Sequence, residues 1–249
     1  MATTSRGSGS GSGMAAGRRS RTDIARMCAT LFGTTPLSAH CQIWAAESPR
    51  FAAFLDEYQG KIGKKLRGIH DEAGYVDLLA ELETAHTLLQ ERSFALIYEP
   101  YLAEKQRGPD FAVTFRSHTS FMVEVRHLRP SPTEVSLRLV SVLADKLRQL
   151  PASVPNVLMV SGAPDHTAAE HLQQAMRTLA ADGHRRDDEA CQRRGFASAR
   201  DLLRRLSRLS AVGILRAPPE AFLWEYAQAQ HPLSPDLRKT LARALGGTL

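Results

Sequence analysis

Between Ser93 and Leu128 the chain carries three short β-type runs whose links are too brief for a crossover. This segment narrows the choice of fold more than any other. SFALIYEP (93–100) is short and apolar. In PDFAVTF (109–115), Phe111, Val113 and Phe115 alternate with Asp110, Ala112 and Thr114. In SFMVEVRHL (120–128), Phe121, Val123 and Val125 alternate with Met122, Glu124 and Arg126. A period of two is the signature of a strand with two different faces. Parallel neighbours need connections of a dozen residues or more, so the three runs predict an antiparallel meander. Pro130 and Pro132 stop the third run. An amphipathic helix follows over 131–150, with Val135, Leu139, Val142, Leu143 and Leu147 inward. The buried strand VPNVLMVSGAP (154–164) comes next. That strand–helix–strand step predicts a strand parallel to the third.

The flanks read as mostly helical. Residues 22–70 recur at helical intervals, from Ile24, Met27 and Leu31 to Phe51, Phe54, Leu55 and Tyr58. A helix over about 74–90 has Leu78, Leu82, Ala85 and Leu89 as its apolar stripe. Beyond residue 164, helices are predicted over 166–182 and 197–208, with a charged loop over 184–194. A fifth strand over 209–217 and a helical tail over 221–245, interrupted at His231-Pro232, complete the pattern. Strands and helices sharing one sheet give an α/β or α+β class with helices on both faces. Residues 1–21, rich in Gly, Ser, Ala and Arg, have almost nothing to bury. Their Gly-Ser repeat is either an appended linker, with Met14 the natural start, or a natural tail. The expected organisation is a tail over 1–21, a helical extension over 22–70 and the main domain over 71–249.

Charge and cysteine content limit the function classes. The net charge is +6, and four of those charges are Arg6, Arg18, Arg19 and Arg21 of the tail, so the rest of the chain is nearly balanced. No stretch reaches the roughly 20 apolar residues of a membrane helix. The first residues have no apolar core of a signal peptide. Three dispersed cysteines, Cys28, Cys41 and Cys191, fit neither a disulfide framework nor a zinc ribbon, and a reducing cytoplasm is expected. There is no phosphate-binding P-loop and no dinucleotide glycine fingerprint. Lys61, Lys64, Lys65 and Arg67 form a basic cluster, either a solvated helix face or a contact to a phosphate backbone.

Asp110, Glu124 and Arg126 are the residues that suggest chemistry. Glu124 and Arg126 lie two apart on one strand and share a face, and a tight meander brings Asp110 beside them. Two carboxylates converging on apolar strands are costly unless something binds there, and a hard divalent cation suits them. The run Pro109-Asp110, thirteen residues, then Glu124-Val125-Arg126 resembles the PD-(D/E)XK nuclease superfamily. The resemblance covers roughly residues 74–162 and includes the order of elements.

It implies a restriction-endonuclease-like mixed sheet with an αβββαβ core flanked by helices. It implies DNA as substrate and Mg²⁺ or Mn²⁺ held by Asp110 and Glu124. An acidic residue of the first core helix would assist. Glu81, near the inward face, is preferred over Glu83. Lys61, Lys64 and Lys65 become the candidate DNA contacts, and a protein partner or a homodimer stays open. The departure is Arg126, where the family has Lys. Arginine can donate to phosphate in a bidentate manner but cannot act as a base, because its pKa stays above about 12. The resemblance therefore leaves two expectations: a metal-dependent DNA phosphodiesterase using Arg126 at the transition state, or a degenerate domain that binds nucleic acid or protein without cleaving.

Overall fold

The computed structural model describes residues 20–101, 108–128, 135–162, 168–215 and 222–246. Residues 1–19, which hold nearly all of the predicted tail, lie outside the described residues, as does the start of the helix predicted from Ser131. The chain is an α/β protein built on one six-stranded mixed sheet, with nine helices among the described residues.

Helix boundaries follow local chemistry. The Ser20 hydroxyl accepts from the amide of Asp23 and starts α1 (Arg21–Phe32). Pro36 opens α2 (Pro36–Glu47) and Pro49 opens α3 (Pro49–Arg67), where a missing amide costs nothing. Asp71 caps α4 (Glu72–Leu89) through the amide of Gly74. The strands then run in chain order across the sheet: β1 (Phe94–Tyr98), β2 (Phe111–Phe115), β3 (Thr119–His127), β4 (Asn156–Ser161), β5 (Leu209–Ile214) and β6 (Phe222–Glu225). β1, β2 and β3 are antiparallel neighbours, as the short links require. β4 is parallel to β3 after the crossover through α5 (Val135–Leu147), and β5 is parallel to β4. β6 closes the far edge antiparallel to β5.

The alternation of side chains divides the core into two layers. Phe121, Val123 and Val125 of β3 and Val157 and Met159 of β4 face α1–α4 and α9 (Pro235–Ala244). Leu158 and Val160 face α5, α6 (Ala168–His184) and α8 (Ala199–Leu206). Helices α1–α3 therefore share one apolar cluster with α4 and the meander. β4 and β5 are buried along their whole length, as central parallel strands covered on both faces must be.

Two sequence expectations fail here. The charged segment 184–194 contains a short helix, α7 (Asp188–Arg193), capped by Asp187 and anchored by buried Ala190 and Cys191. Two small apolar residues are enough to dock one turn but too few to show as a period. The expected helix from Ala221 starts instead as β6. Leu223 packs into one layer while Phe222, Trp224 and Tyr226 pack into the other, a period of two. The tail is helical over Pro235–Ala244.

Candidate active site

The β2–β3 ladder ends at the pair Phe111–Val123. One step further, the side chain of Asp110 replaces the backbone: its Oδ2 accepts the amide of Val125 at 2.8 Å. Glu99, just past β1, donates its own amide to the Asp110 carbonyl at 2.7 Å, with a positive φ of 45°. β2 and β3 thus part at Asp110, while the Glu99 amide still holds β1 to it, and side chains from both helical layers reach the opening.

From one layer comes Glu81 of α4. It falls in register with Leu78, Leu82, Ala85 and Leu88 on the buried face of that helix. Lys65 Nζ of α3 donates to both carboxylate oxygens at 2.6 Å, and the Tyr98 hydroxyl donates to Oε2 at 2.7 Å. The same ammonium lies 3.4 Å from Glu99. Burial, then the charge of Asp110, pushes the Glu81 carboxyl up to about 7 despite these donors. Burial pulls the Lys65 ammonium down, but the carboxylates of Glu81, Asp110 and Glu99 outweigh it and the net shift is upward. Lys61 sits beside this group and donates to the carbonyls of Tyr98 and Glu99 at 2.6 and 3.1 Å.

From the other layer comes Lys146 of α5, ion-paired with Glu124 Oε1. Glu124 is 3% exposed, and its Oε2 is buried with no hydrogen-bond partner among the described residues. Burial and the nearby Asp110 raise its carboxyl to about 7, against the pull of Lys146. Burial also raises the Asp110 carboxyl, opposed by Lys65, Lys146 and the Val125 amide. Asp110 thus sits between Glu81 and Glu124, felt by both.

Of the residues predicted from sequence, Asp110, Glu124 and Glu81 come together. Glu81 is committed to Lys65 and Tyr98, and no three His, Cys, Asp or Glu side chains among the described residues form a group able to hold a metal ion. Arg126 does not join them. Its guanidinium is 3.7 Å from Asp77 on α4, with the side chain 40% exposed. Period two places Arg126 on the same strand face as Glu124, but a long, solvent-reaching side chain near a strand end follows the nearest free carboxylate. Of the three lysines expected to contact nucleic acid, Lys64 is exposed, whereas Lys61 and Lys65 are turned into the site. His127 has its Nδ1 3.0 Å from the Ser161 hydroxyl at the end of β4.

The sequence reading missed Tyr98 and Lys146. Lys146 did carry a signal: it stands three residues after Leu143 and four after Val142, on the inward stripe of its helix. The chain also has only six lysines against 26 arginines, yet Lys61, Lys65 and Lys146 all gather here. No family model, curated protein or solved structure matches the chain.

Proposed function

We propose that the chain is a restriction-endonuclease-like phosphodiesterase that acts on DNA with Mg²⁺ or Mn²⁺. The observation that carries this reading is the half-buried Asp110 and the buried Glu124 meeting where β2 and β3 part. Two hard oxygen donors are what Mg²⁺ takes from a protein, leaving its other positions to water and phosphate oxygens. The buried, unpartnered Oε2 of Glu124 and the upward shifts of both carboxyls mark a deficit of positive charge that a cation relieves. Asp110 and Glu124 would hold the ion, which supplies Lewis-acid stabilisation of the charge on phosphate oxygens.

The chain's own groups do the rest. Lys65 and Tyr98 fix Glu81 behind Asp110. Lys64, exposed on the same helix, is available to a backbone phosphate. In the reaction one water is consumed. Its oxygen bonds to phosphorus, one ester P–O bond breaks, and the leaving oxygen takes a proton while the attacking oxygen loses one. Cys28, Cys41 and Cys191 are buried free thiols, in keeping with a reducing cytoplasm.

A second reading, a domain that binds nucleic acid or a protein partner without cleaving, draws on Lys65 and Lys146 already lying against the carboxylates. Plasmid nicking separates the two. Under the first, wild type nicks supercoiled DNA with Mg²⁺ or Mn²⁺, Asp110→Ala abolishes nicking, and the metal raises the melting temperature of wild type. No nicking and no metal-induced stabilisation would favour the second.

A further inference from the structure

The missing motif lysine has a candidate replacement on a different element. From the geometry at Glu124, we propose that Lys146, carried by the crossover helix α5, is the ammonium that faces the scissile phosphate, in place of position 126. The inference rests on the phosphodiesterase reading above. Three observations carry it. Arg126 is engaged at 3.7 Å by Asp77, with its side chain 40% exposed. Lys146 is 17% exposed and is paired directly with Glu124, the carboxylate that the motif cation would flank. Asp110 accepts the amide of Val125, the residue next to Glu124, so the Glu124–Lys146 pair borders the other candidate metal ligand.

Lys65 is the competing cation, but it is held by both oxygens of Glu81 and lies 3.4 Å from Glu99. Lys146 has a single ion-pair partner among the described residues. It reaches the opening from the helical layer opposite Lys65. A compact ammonium on a flexible stem can leave one carboxylate oxygen and donate to a phosphate oxygen at little geometric cost, which a planar guanidinium does less readily. The fold makes the relocation feasible. Helix α5 returns the chain from β3 to β4, and its Lys146 meets Glu124 of β3. A cation on either element can serve the same point in space.

The test compares Lys146→Met, Lys146→Arg and Arg126→Met with wild type by two measurements, Mg²⁺-dependent plasmid nicking and Mn²⁺ titration followed by thermal melting. Lys146→Met should slow nicking about 100-fold, the order seen when one transition-state donor is removed. It should also lower the Mn²⁺ midpoint by about tenfold, because a like charge beside Glu124 has gone. Lys146→Arg keeps the charge pair and so the fold; it should melt near wild type and recover nicking to within about tenfold. Arg126→Met should match wild type in both measurements. Should Lys146→Met nick as wild type does, whatever Arg126→Met does, the inference is wrong and the phosphodiesterase reading stands. If wild type neither nicks nor responds to Mn²⁺, the phosphodiesterase reading fails and takes this inference with it.

Discussion

Two buried carboxylates, Glu81 and Glu124, and the half-buried Asp110 are tolerable around one opening only because two lysines stand among them. Glu81 and Lys65 form the best-satisfied pair, with both oxygens bonded to the ammonium and a tyrosine hydroxyl added. Breaking such a pair from one side leaves a buried charge without a partner, which typically costs about 3–5 kcal/mol. Lys65→Met is therefore expected to destabilise the protein by about that amount in urea unfolding. Adding Glu81→Gln should restore much of the loss, because the orphaned charge is removed with its partner. Additive losses in the double variant would show that the two groups are not coupled. Glu99 marks the same place differently: a non-glycine residue at φ 45° beside Asp110 is backbone strain held at a candidate site.

At the scale of elements, the sheet depends on how β4 enters it. Asn156, the chain's single asparagine, shares its two N–H donors among the carbonyls of Pro151, Val154 and Arg208, each at 2.9 Å. Its amide donates to the Ser210 hydroxyl at 2.9 Å, which in turn donates to the His231 carbonyl at 2.6 Å. The register between β4 and β5 shifts at this point, so side chains replace ladder bonds that the backbone cannot make. Asn156→Leu should cost about 1–3 kcal/mol, the penalty of leaving buried carbonyls unpaired. Urea unfolding of the variant measures it, and a change within experimental scatter would mean that water takes over the bonds. The other end of β4 is equally tight. A Cβ on Gly162, at φ 68°, would come within 2.6 Å of the Leu128 carbonyl.

Across the whole molecule, the carboxylate cluster sets how stability responds to pH. Glu81 and Glu124 sit at about 7 when folded, against an ordinary 4.5. Between those values the native state holds protons that the unfolded chain has released, so stability falls as pH rises through this window. Asp110, also shifted upward, adds to the same trend from its ordinary 3.8. Half-buried His86, whose pKa is lowered from 6.5 by burial, acts in the opposite sense below that pH, and three carboxylates outweigh one imidazole. In metal-free buffer the melting temperature should therefore rise from pH 7.5 to pH 5.5. The double variant Glu81→Gln/Glu124→Gln should flatten the rise. A wild-type profile that falls toward pH 5.5 would mean that the cluster is fully ionised when folded.

The sequence alone determined the meander, the parallel return to β4 and the two-layer core. Each rests on a local rule: a period of two for strands, short links for antiparallel pairs, a helix-length link for a parallel one. It also determined that Asp110 and Glu124 belong to adjacent strands, and that Glu81 lies on the buried face of its helix. It could not decide which cation meets which carboxylate. That depends on the parting of β2 and β3 after Phe111 and on α3 and α5 bringing lysines from opposite layers. Residues 65, 81, 110, 124 and 146 become neighbours only when the sheet is assembled. Alternation placed Arg126 beside Glu124, but a side chain that long takes its partner from the surrounding helices, and here α4 offered Asp77. Likewise β6 reads as a helix until β5 presents it with an edge to pair.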